Sequence, residues 1–311
     1  MQRQLMARLV QALVAALLIG SLCFAMMQTL PGDAAMRIAA SRYGPDAMTQ
    51  QLAEAVRAEL GLERPWLQQY GDWLGQLARL DLGHSLVSGA PVIDELRVQL
   101  GHSLWLALLA LALSLLIGPP LGLLAGSRPN GRVDRLSQAL AILLRSVPPF
   151  VLGLLLMLVF SLWLGWLPPA GFGSWRHLLL PALTLALGLA ALSSRVTRDA
   201  MAEVGTAPYF AYGRYKGLGA LALARRHGVR NAAIPVVAYL GLQTVYLIEG
   251  VVVESIFAFP GIGHALVHAV IARDVPMVQG TVLVMGLLFI LINLLVDALC
   301  RRLDPRLGAM R

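Results

Sequence analysis

Long apolar runs dominate the chain and are separated by shorter polar segments. The runs are 17 to 31 residues long, and each as a helix is long enough to cross the hydrocarbon core of a membrane. No sustained alternation of apolar and polar residues indicates a strand. The pattern therefore predicts an all-α, polytopic membrane protein with six transmembrane helices. The six runs are 9–30, 103–125, 136–166, 178–194, 233–257 and 277–300. Proline pairs at 119–120 and 148–149 predict a break late in the second run and a kink in the third.

One long polar region, 31–102, separates the first two apolar runs. It contains two stretches with the spacing of amphipathic helices, 49–60 and 66–80. We therefore expect three parts. Residues 1–30 hold the N-terminal segment and the first transmembrane helix, 31–102 form a small helical insertion outside the cytoplasm, and 103–311 form a five-helix core.

Charge predicts the orientation of these helices. The chain is 58% hydrophobic and 14% charged, whereas ordinary globular chains carry about 25% charged residues. Lys and Arg collect at both termini and in the loops after the second and fourth runs, while each short outer loop has a single Arg. This bias predicts cytoplasmic termini, and it assigns the net charge of +8 to topology and lipid contact rather than to nucleic acid. Cys23 and Cys300 lie in separate predicted spans, which argues against a disulfide or a cysteine metal site.

The inner loop at about 195–232 is patterned beyond what a turn requires. Its basic stretch, 208–235, reads PYFAYGRYKGLGALALARRHGVRNAAIP and contains no acidic residue. Its middle has the composition of a helix between glycines, so we predict a socket for a cytoplasmic partner. The chain has no G-x-x-x-x-G-K-[ST] loop to cradle a phosphate, so energy for transport would come from a partner or an ion gradient.

This stretch resembles the coupling loop of ABC-importer permeases, through Tyr209, the segment RYKGL at 214–218, His227 and the segment RNAAIP at 230–235. Further matches to the dipeptide, oligopeptide and nickel branch follow in order along the chain. They include Pro31-Gly32-Asp33, Asp81-Leu82-Gly83 with Ser85, Val253-Glu254 with Ile256-Phe257, Pro260-Gly261-Ile262-Gly263, Arg273-Asp274 and Leu303-Asp304-Pro305-Arg306. The sequence departs from the pattern at Gly213, where the family usually has Ala, and at Glu249, where a small residue is expected.

The resemblance implies a multi-pass protein of the bacterial inner membrane, one of two homologous permease subunits, expected to be a heterodimer, in an ATP-driven importer. Two ATPase subunits would bind ATP and Mg, and an extracytoplasmic solute-binding protein would deliver small peptides or nickel, free or chelated. This chain would hold no cofactor and no catalytic site. The residues expected to form the ATPase-coupling surface are Tyr209, Arg214, Lys216, Gly217, Arg225, Arg226, His227, Arg230, Asn231 and Pro235.

A polar face runs along the fifth apolar run, as counted at 100° per residue. The residues on this face and at its edges are Tyr239, Gln243, Tyr246, Glu249, Gly250 and Glu254. Polar stripes on membrane helices face a bundle interior or a water-filled path, so these residues are predicted to line the translocation pathway. Glu249 could instead form a structural ion pair with Arg145. Glu254 could instead have a structural or gating role.

Two further interpretations stay open. His264 and His268 are four residues apart and could hold a metal, but no Cys or third His lies near them in the sequence, so no firm metal site is predicted. The alternative function is a stand-alone secondary transporter for a small cationic solute. Such a protein would use several intramembrane charges and often inverted repeats. Here only Glu249 lies clearly in the middle of a span, and no internal repeat is evident.

Overall fold

The computed structural model of the protein describes residues 2–29, 31–44, 46, 49–218, 229–248 and 250–303. Over these residues the chain is helical and has no strand, apart from an isolated antiparallel bridge between His84 and Pro91. The all-α class is therefore confirmed. Three of the described helices are long and apolar enough to cross a membrane, and one sharply bent pair would make a fourth. The six-span count and the cytoplasmic termini stay predictions.

The first third of the chain is a long helix followed by three short ones. They are α1 (Gln2–Thr29), α2 (Ala34–Tyr43), α3 (Gln50–Glu59) and α4 (Trp66–Ala78). The Asp33 side chain accepts a hydrogen bond from Ala35 N at 2.9 Å, and the Thr49 side chain accepts one from Leu52 N at 3.3 Å. These side chains satisfy backbone donors that the first turn of a helix leaves unpaired. The expected helices at 49–60 and 66–80 are confirmed, whereas α2 has too weak an amphipathic pattern to be predicted.

The remaining helices include the long apolar ones. They are α5 (Val92–Ser127), α6 (Arg132–Ser146), α7 (Pro149–Met157, continued by a π-helix Leu158–Trp163), α8 (Trp175–Thr206), α9 (Pro208–Tyr215), α10 (Val229–Ile248), α11 (Val251–Ile256), α12 (Ile262–Ala272) and α13 (Val275–Leu303).

The two proline pairs have different outcomes. The pair at 148–149 separates α6 from α7, and these helices meet at 99°, which confirms the predicted kink. The break predicted at 119–120 is wrong, because α5 continues through both prolines to Ser127. Adjacent prolines remove only two backbone donors, and packing against a neighbouring helix holds this part of α5 in place.

Helix α8 is much longer than its apolar run. The prediction of a span at 178–194 followed by a loop from Arg195 is wrong, since the helix extends from Trp175 to Thr206. Beyond Ser194 it still buries Thr197, Met201 and Val204. Tertiary packing of this face therefore continues the helix where the apolar pattern has ended.

The chain divides into two compact units, each with its own contacts. One unit contains residues 1–102 and 260–290, and the other contains 103–259 and 291–311. Unit 1 thus combines the segment before residue 103 with α12 and the beginning of α13. Unit 2 contains the inner loop and α10.

In unit 1, Arg273 ties the beginning of the polar region to the loop before α13. It adopts a left-handed backbone conformation (φ 59°) just after α12. Its guanidinium donates to the carbonyl oxygens of Pro31 and Gly32, the second at 2.8 Å. Arg273 is buried, so these bonds satisfy a charge that is largely shielded from water.

The neighbouring Asp274 holds a third segment of unit 1. It is 2% exposed, and its carboxylate accepts hydrogen bonds from the Ser85 hydroxyl and from Leu86 N at 3.0 Å. The same carboxylate accepts from Met277 N at 3.3 Å, at the first turn of α13. One buried acid therefore caps a helix and fixes the turn after residue 84.

In unit 2, helices α5 and α8 approach closely along three glycines of α5. Gly118, Gly122 and Gly126 are spaced by four and share one face of the helix. A Cβ atom at Gly122 would lie 2.6 Å from Thr197 Cβ, and one at Gly126 would lie 2.5 Å from Arg198 O. Small residues at this spacing let two membrane helices make backbone contact, since lipid provides no hydrophobic drive for helix association.

Asp134, at the beginning of α6, is locked to α8 by Arg198. The carboxylate is fully buried and pairs with the guanidinium through two bonds, of 2.9 Å and 2.7 Å. Gln138 Nε2 and Asn130 N donate to the same carboxylate at 2.8 Å and 2.7 Å. Four donors thus compensate the desolvation of one acid, in the bidentate geometry that favours Arg.

We predict that Gly122→Ala destabilises the protein, because the new methyl group would meet α8 at less than contact distance. Overpacking of this kind costs about 1–3 kcal/mol. The matched control is Gly188→Ala in α8, where a Cβ would have nothing within 4 Å. Thermal unfolding of the purified chain in detergent measures the effect, and equal melting temperatures for the two variants would contradict it.

Asp134→Asn is expected to lower stability by about 3 kcal/mol, because it leaves Arg198 without its buried counter-charge. Asp199→Asn removes the other carboxylate that Arg198 contacts, whose side chain is 70% exposed, and should cost about 1 kcal/mol or less. The two variants are compared by chemical denaturation in detergent. Equal losses would show that burial of the pair has no importance.

Candidate functional site

The predicted coupling segment begins with a short helix set at the end of α8. Ala207 has extended backbone angles and separates α8 from α9. Tyr209 and Arg214 belong to α9, and so does Gly213, so glycine at that position does not interrupt the helix. The side chain of Phe210 is 4% exposed and packs with Met201 and Val204. Helix α9 is therefore fixed to the last turns of α8 by a small apolar core.

The opposite side of α9 is open. Tyr212 is 61% exposed and Tyr215 is 89% exposed, which is unusual for aromatic side chains. Lys216 Nζ lies 4.7 Å from the centre of the Tyr212 ring, a cation–π contact. We call Tyr212, Tyr215 and Lys216 the aromatic ledge. The ledge presents two aromatic side chains and one positive charge on the exposed side of α9, and the opposite side of this helix is packed against α8.

Gly217 ends this segment with a backbone conformation that glycine suits best. Its φ is +77°, and Leu218 N donates to the carbonyl oxygen of Gly213 at 3.2 Å. A residue in the left-handed region just after a helix closes its last turn and redirects the chain. A bulkier residue would be strained at this position, and the coupling role of Gly217 stays a prediction.

The rest of the predicted coupling surface divides into two groups. Arg225, Arg226 and His227 lie outside the described residues. Arg230, Asn231 and Pro235 lie on α10, which continues through Pro235 without a break. The described part of the prediction is thus split between α9 and the first turns of α10.

The predicted pathway residues also begin on α10. Gln243 Nε2 donates to the Tyr239 hydroxyl at 2.6 Å, so these side chains share one face of the helix as the four-residue spacing predicts. Tyr246 lies one turn further along the same helix, and Glu249 lies outside the described residues. The expected continuous span 233–257 is wrong, because α10 ends at Ile248 and α11 begins only at Val251, after Gly250.

Glu254 is enclosed by unit 2. It is fully buried, and its carboxylate accepts a hydrogen bond from the Ser103 hydroxyl at 2.5 Å. Phe257, on the next turn, packs with Leu106 and Leu180 in an apolar cluster of this unit. The arrangement fits the structural or gating role considered for Glu254, and its place on the pathway stays a prediction.

The histidine pair on α12 has no third metal-ligating residue beside it among the residues that the structure describes. The rings of His264 and His268 are edge to face, with centres 4.5 Å apart. Burial, together with the neighbouring His268, lowers the pKa of His264 below its ordinary value. No group of three His, Cys, Asp or Glu side chains is placed to bind a metal in the part of the chain that the structure describes.

Sequence reasoning missed the contacts that brace this region. Arg198 lies about two turns before the end of α8, and its bond to Asp134 joins α6 to the helix that carries α9. The glycine spacing 118–122–126 was a readable signal for close helix packing. The Asp134–Arg198 pair had no such signal, because the two residues are 64 positions apart.

Known proteins match the chain over nearly its whole length. Residues 118–309 match the family described as binding-protein-dependent transport system inner membrane component, and residues 1–94 match its N-terminal domain. The glutathione transport system permease protein GsiC of Escherichia coli O6:H1 is 40% identical over 289 residues, with 93% of each chain covered. The GsiC of Pectobacterium atrosepticum is 40% identical over 299 residues, with 96% of each covered.

Two solved structures share the fold at low identity. A chain of the MetNI methionine ABC transporter in inward-facing form has a TM-score of 0.59 and 17% identity, over 68% of this chain and 97% of its own length. A chain of an amino acid ABC transporter has a TM-score of 0.53 and 16% identity, over 68% and 94%. The family match and the 40% identity to transport system permeases favour an importer subunit over a stand-alone secondary transporter. The family matches, which span both the N-terminal region and the helical core, show that the chain belongs to the inner-membrane permeases of binding-protein-dependent ABC importers, in the peptide and nickel family.

Proposed function

We propose that this chain forms half of the translocation pathway of an ATP-driven importer for small peptides. A second, homologous permease subunit would form the other half. Two ATPase subunits would bind ATP and Mg and carry out the hydrolysis, and an extracytoplasmic binding protein would deliver the cargo. The observation that carries the proposal is α9, a helix anchored to α8 on one side and exposed on the other.

The aromatic ledge suits a lever between an ATPase and the membrane helices. Aromatic side chains concentrate binding energy at protein interfaces, and Tyr215 is almost wholly exposed. A displacement of α9 would pass to α8 through Phe210, which is buried against Met201 and Val204. From α8 it would pass to α6 through the Asp134–Arg198 pair.

The remaining coupling residues would enlarge this contact. We propose that Arg214, Arg225, Arg226 and Arg230 supply positive charge around the ledge, with Tyr209, His227, Asn231 and Pro235 shaping the loop. Rim charges of this kind steer association and set the salt dependence of binding more than they add affinity.

The pathway itself would be lined from α10. Tyr239 and Gln243 already form a polar pair on one face of that helix. We propose that Tyr246, Glu249 and Gly250 continue this face, and that Glu254, held by Ser103, acts at its buried end as a gate. Polar groups on membrane helices are retained where they contact one another or a water-filled route.

Small peptides of the glutathione type are the proposed cargo. The support is the 40% identity to permeases named for glutathione transport. Nickel is the weaker candidate, since no three-residue metal group occurs in the described part of the chain. A peptide cargo offers amide and carboxylate groups that Tyr and Gln side chains can bind directly.

Gly217→Leu is expected to reduce co-purification of the ATPase subunits by at least tenfold, because a side chain at φ +77° strains the turn that follows the ledge. The matched control is Gly44→Leu, a glycine after α2 with φ +91° and equally open surroundings. Both variants should insert in the membrane, and only the first should lose the ATPase. Equal retention of the ATPase in both would refute the coupling role.

The importer can be reconstituted in vesicles with its partner subunits and binding protein. Its uptake of glutathione should be saturable and should require ATP on the side of the membrane where the ATPase subunits lie. Nickel without a peptide should give no ATP-dependent uptake. The reverse pattern would exclude a peptide cargo, and uptake by the lone chain would exclude an ATP-driven importer altogether.

A further inference from the structure

Unit 1 contains a half-open cavity of about 380 Å³ that no function described above uses. Helices α2 and α12 contribute to its walls, together with the turn after residue 84 and the beginnings of α5 and α13. Its polar lining consists of Ser85, Ser88, Glu95, Gln99, His268 and Asp274, with Ser41 at the wall from α2. The volume is large enough for one long side chain or a small organic molecule.

The lining of the cavity is acidic. Glu95 and Asp274 are its two carboxylates, and among the residues that the structure describes no Lys or Arg lines it. Asp274 is engaged by backbone and hydroxyl donors, which neutralise no charge. Glu95 accepts a hydrogen bond from the Ser88 hydroxyl and has no ion pair among the described residues. Glu95 is therefore the carboxylate of the lining that is available to a bound cation.

The cavity also contains a hydrogen-bond acceptor that has no donor among the described residues. Gln99 Oε1 is shielded from solvent and has no hydrogen-bond partner among the described residues. Gln99 lies four positions after Glu95, so both side chains emerge on one face of α5. A buried polar atom without a partner costs about 1–3 kcal/mol, which a bound donor would recover.

We propose that this cavity binds an organic cation that carries N–H donors, namely a primary ammonium or a guanidinium group. The charge would rest against Glu95, in the field of Asp274, and one N–H would satisfy Gln99 Oε1. A metal ion fits less well, since three metal-ligating side chains do not converge anywhere in the described residues. An alkyl chain behind the charged group would contact Val87, Ala269 and Met277 at the apolar part of the wall.

In the importer proposed above, two sources could present such a group to this part of the chain. One is the amino terminus of a peptide cargo, and the other is a Lys or Arg side chain of the binding protein. The chemistry at the cavity is the same for both. The site itself does not depend on the proposed function, whereas its use in transport does.

Binding is tested on the full chain in nanodiscs, with n-butylammonium and n-butylguanidinium as probes and n-butanol as the neutral comparison. Calorimetry or saturation-transfer NMR should detect saturable binding of both cations and not of butanol. Glu95→Gln should weaken binding about 10- to 100-fold, the usual range for a lost hydrogen bond to a charged group. Glu63→Gln, at an exposed acid of the same unit outside the cavity, should leave it unchanged.

Gln99→Met provides a second variant whose effects have opposite signs. It removes the unpartnered acceptor, so the empty protein should melt at a higher temperature while the cations bind several-fold more weakly. If Gln99 had only a structural role, its substitution would lower both the melting temperature and the affinity for the cations, or neither of them. No saturable binding by the native chain, or equal binding by Glu95→Gln and Glu63→Gln, would overturn the proposal.

Two measurements on the reconstituted importer separate the sources. If the binding protein supplies the cation, Glu95→Gln raises the concentration of that protein needed for half-maximal ATPase stimulation without cargo. If the cargo supplies it, Glu95→Gln raises KM for a free-amine peptide and not for its N-acetylated form. If Glu95→Gln changes neither the ATPase stimulation nor KM, the cavity has no role in transport. An inactive importer would count against the proposed function alone, because the nanodisc assay tests binding at the cavity separately.

Discussion

The cost of burying carboxylates decides which distant segments of this chain must meet. Asp134, Glu254 and Asp274 are each at most 2% exposed. An unpaired charge in such a place would cost several kcal/mol, a large part of a typical protein's margin of stability. Each acid therefore has donors from elsewhere, at Arg198, Ser103 and Ser85, which lie 64, 151 and 189 residues away in the sequence.

The three acids are satisfied in different ways, and each way suits its place. Asp134 has a full counter-charge in Arg198, which joins α6 to α8 near the segment that carries α9. Glu254 accepts a hydrogen bond from a hydroxyl group beside an apolar cluster. Asp274 has backbone donors, so it organises a turn and the first turn of a helix together. The Asp134 pair thus joins two helices, whereas Asp274 joins a turn to the beginning of a helix.

Helix packing in unit 2 depends on a second constraint, the absence of a hydrophobic drive between helices in lipid. Gly118, Gly122 and Gly126 let α5 and α8 approach to backbone contact. The same contact explains why α5 stays helical through its proline pair and why α8 stays helical beyond its apolar run. Helix α8 thus gives α9 a packed base at Met201 and Val204, on which the proposed coupling role depends.

Several short motifs that point to the family turn out to be parts of one cluster. Pro31-Gly32, Ser85 and Arg273-Asp274 are far apart in the sequence, yet in unit 1 they form a single set of hydrogen bonds. Their order along the chain was enough to recognise the family, and the aligned face of Tyr239 and Gln243 was readable from helical spacing. Neither pattern shows which donor meets which acceptor.

The amino-acid sequence by itself determined the membrane class, the helical secondary structure, the kink at 148–149 and the family. These properties follow from local patterns, namely apolar length, helical spacing, prolines and short motifs. Only the tertiary structure decided where α8 ends, that α10 stops before Gly250, and which remote residues satisfy Asp134, Glu254 and Asp274. It also brought Glu95 and Gln99 into one cavity with Asp274. Desolvation and close packing depend on neighbours in space, and a sequence records only neighbours along the chain.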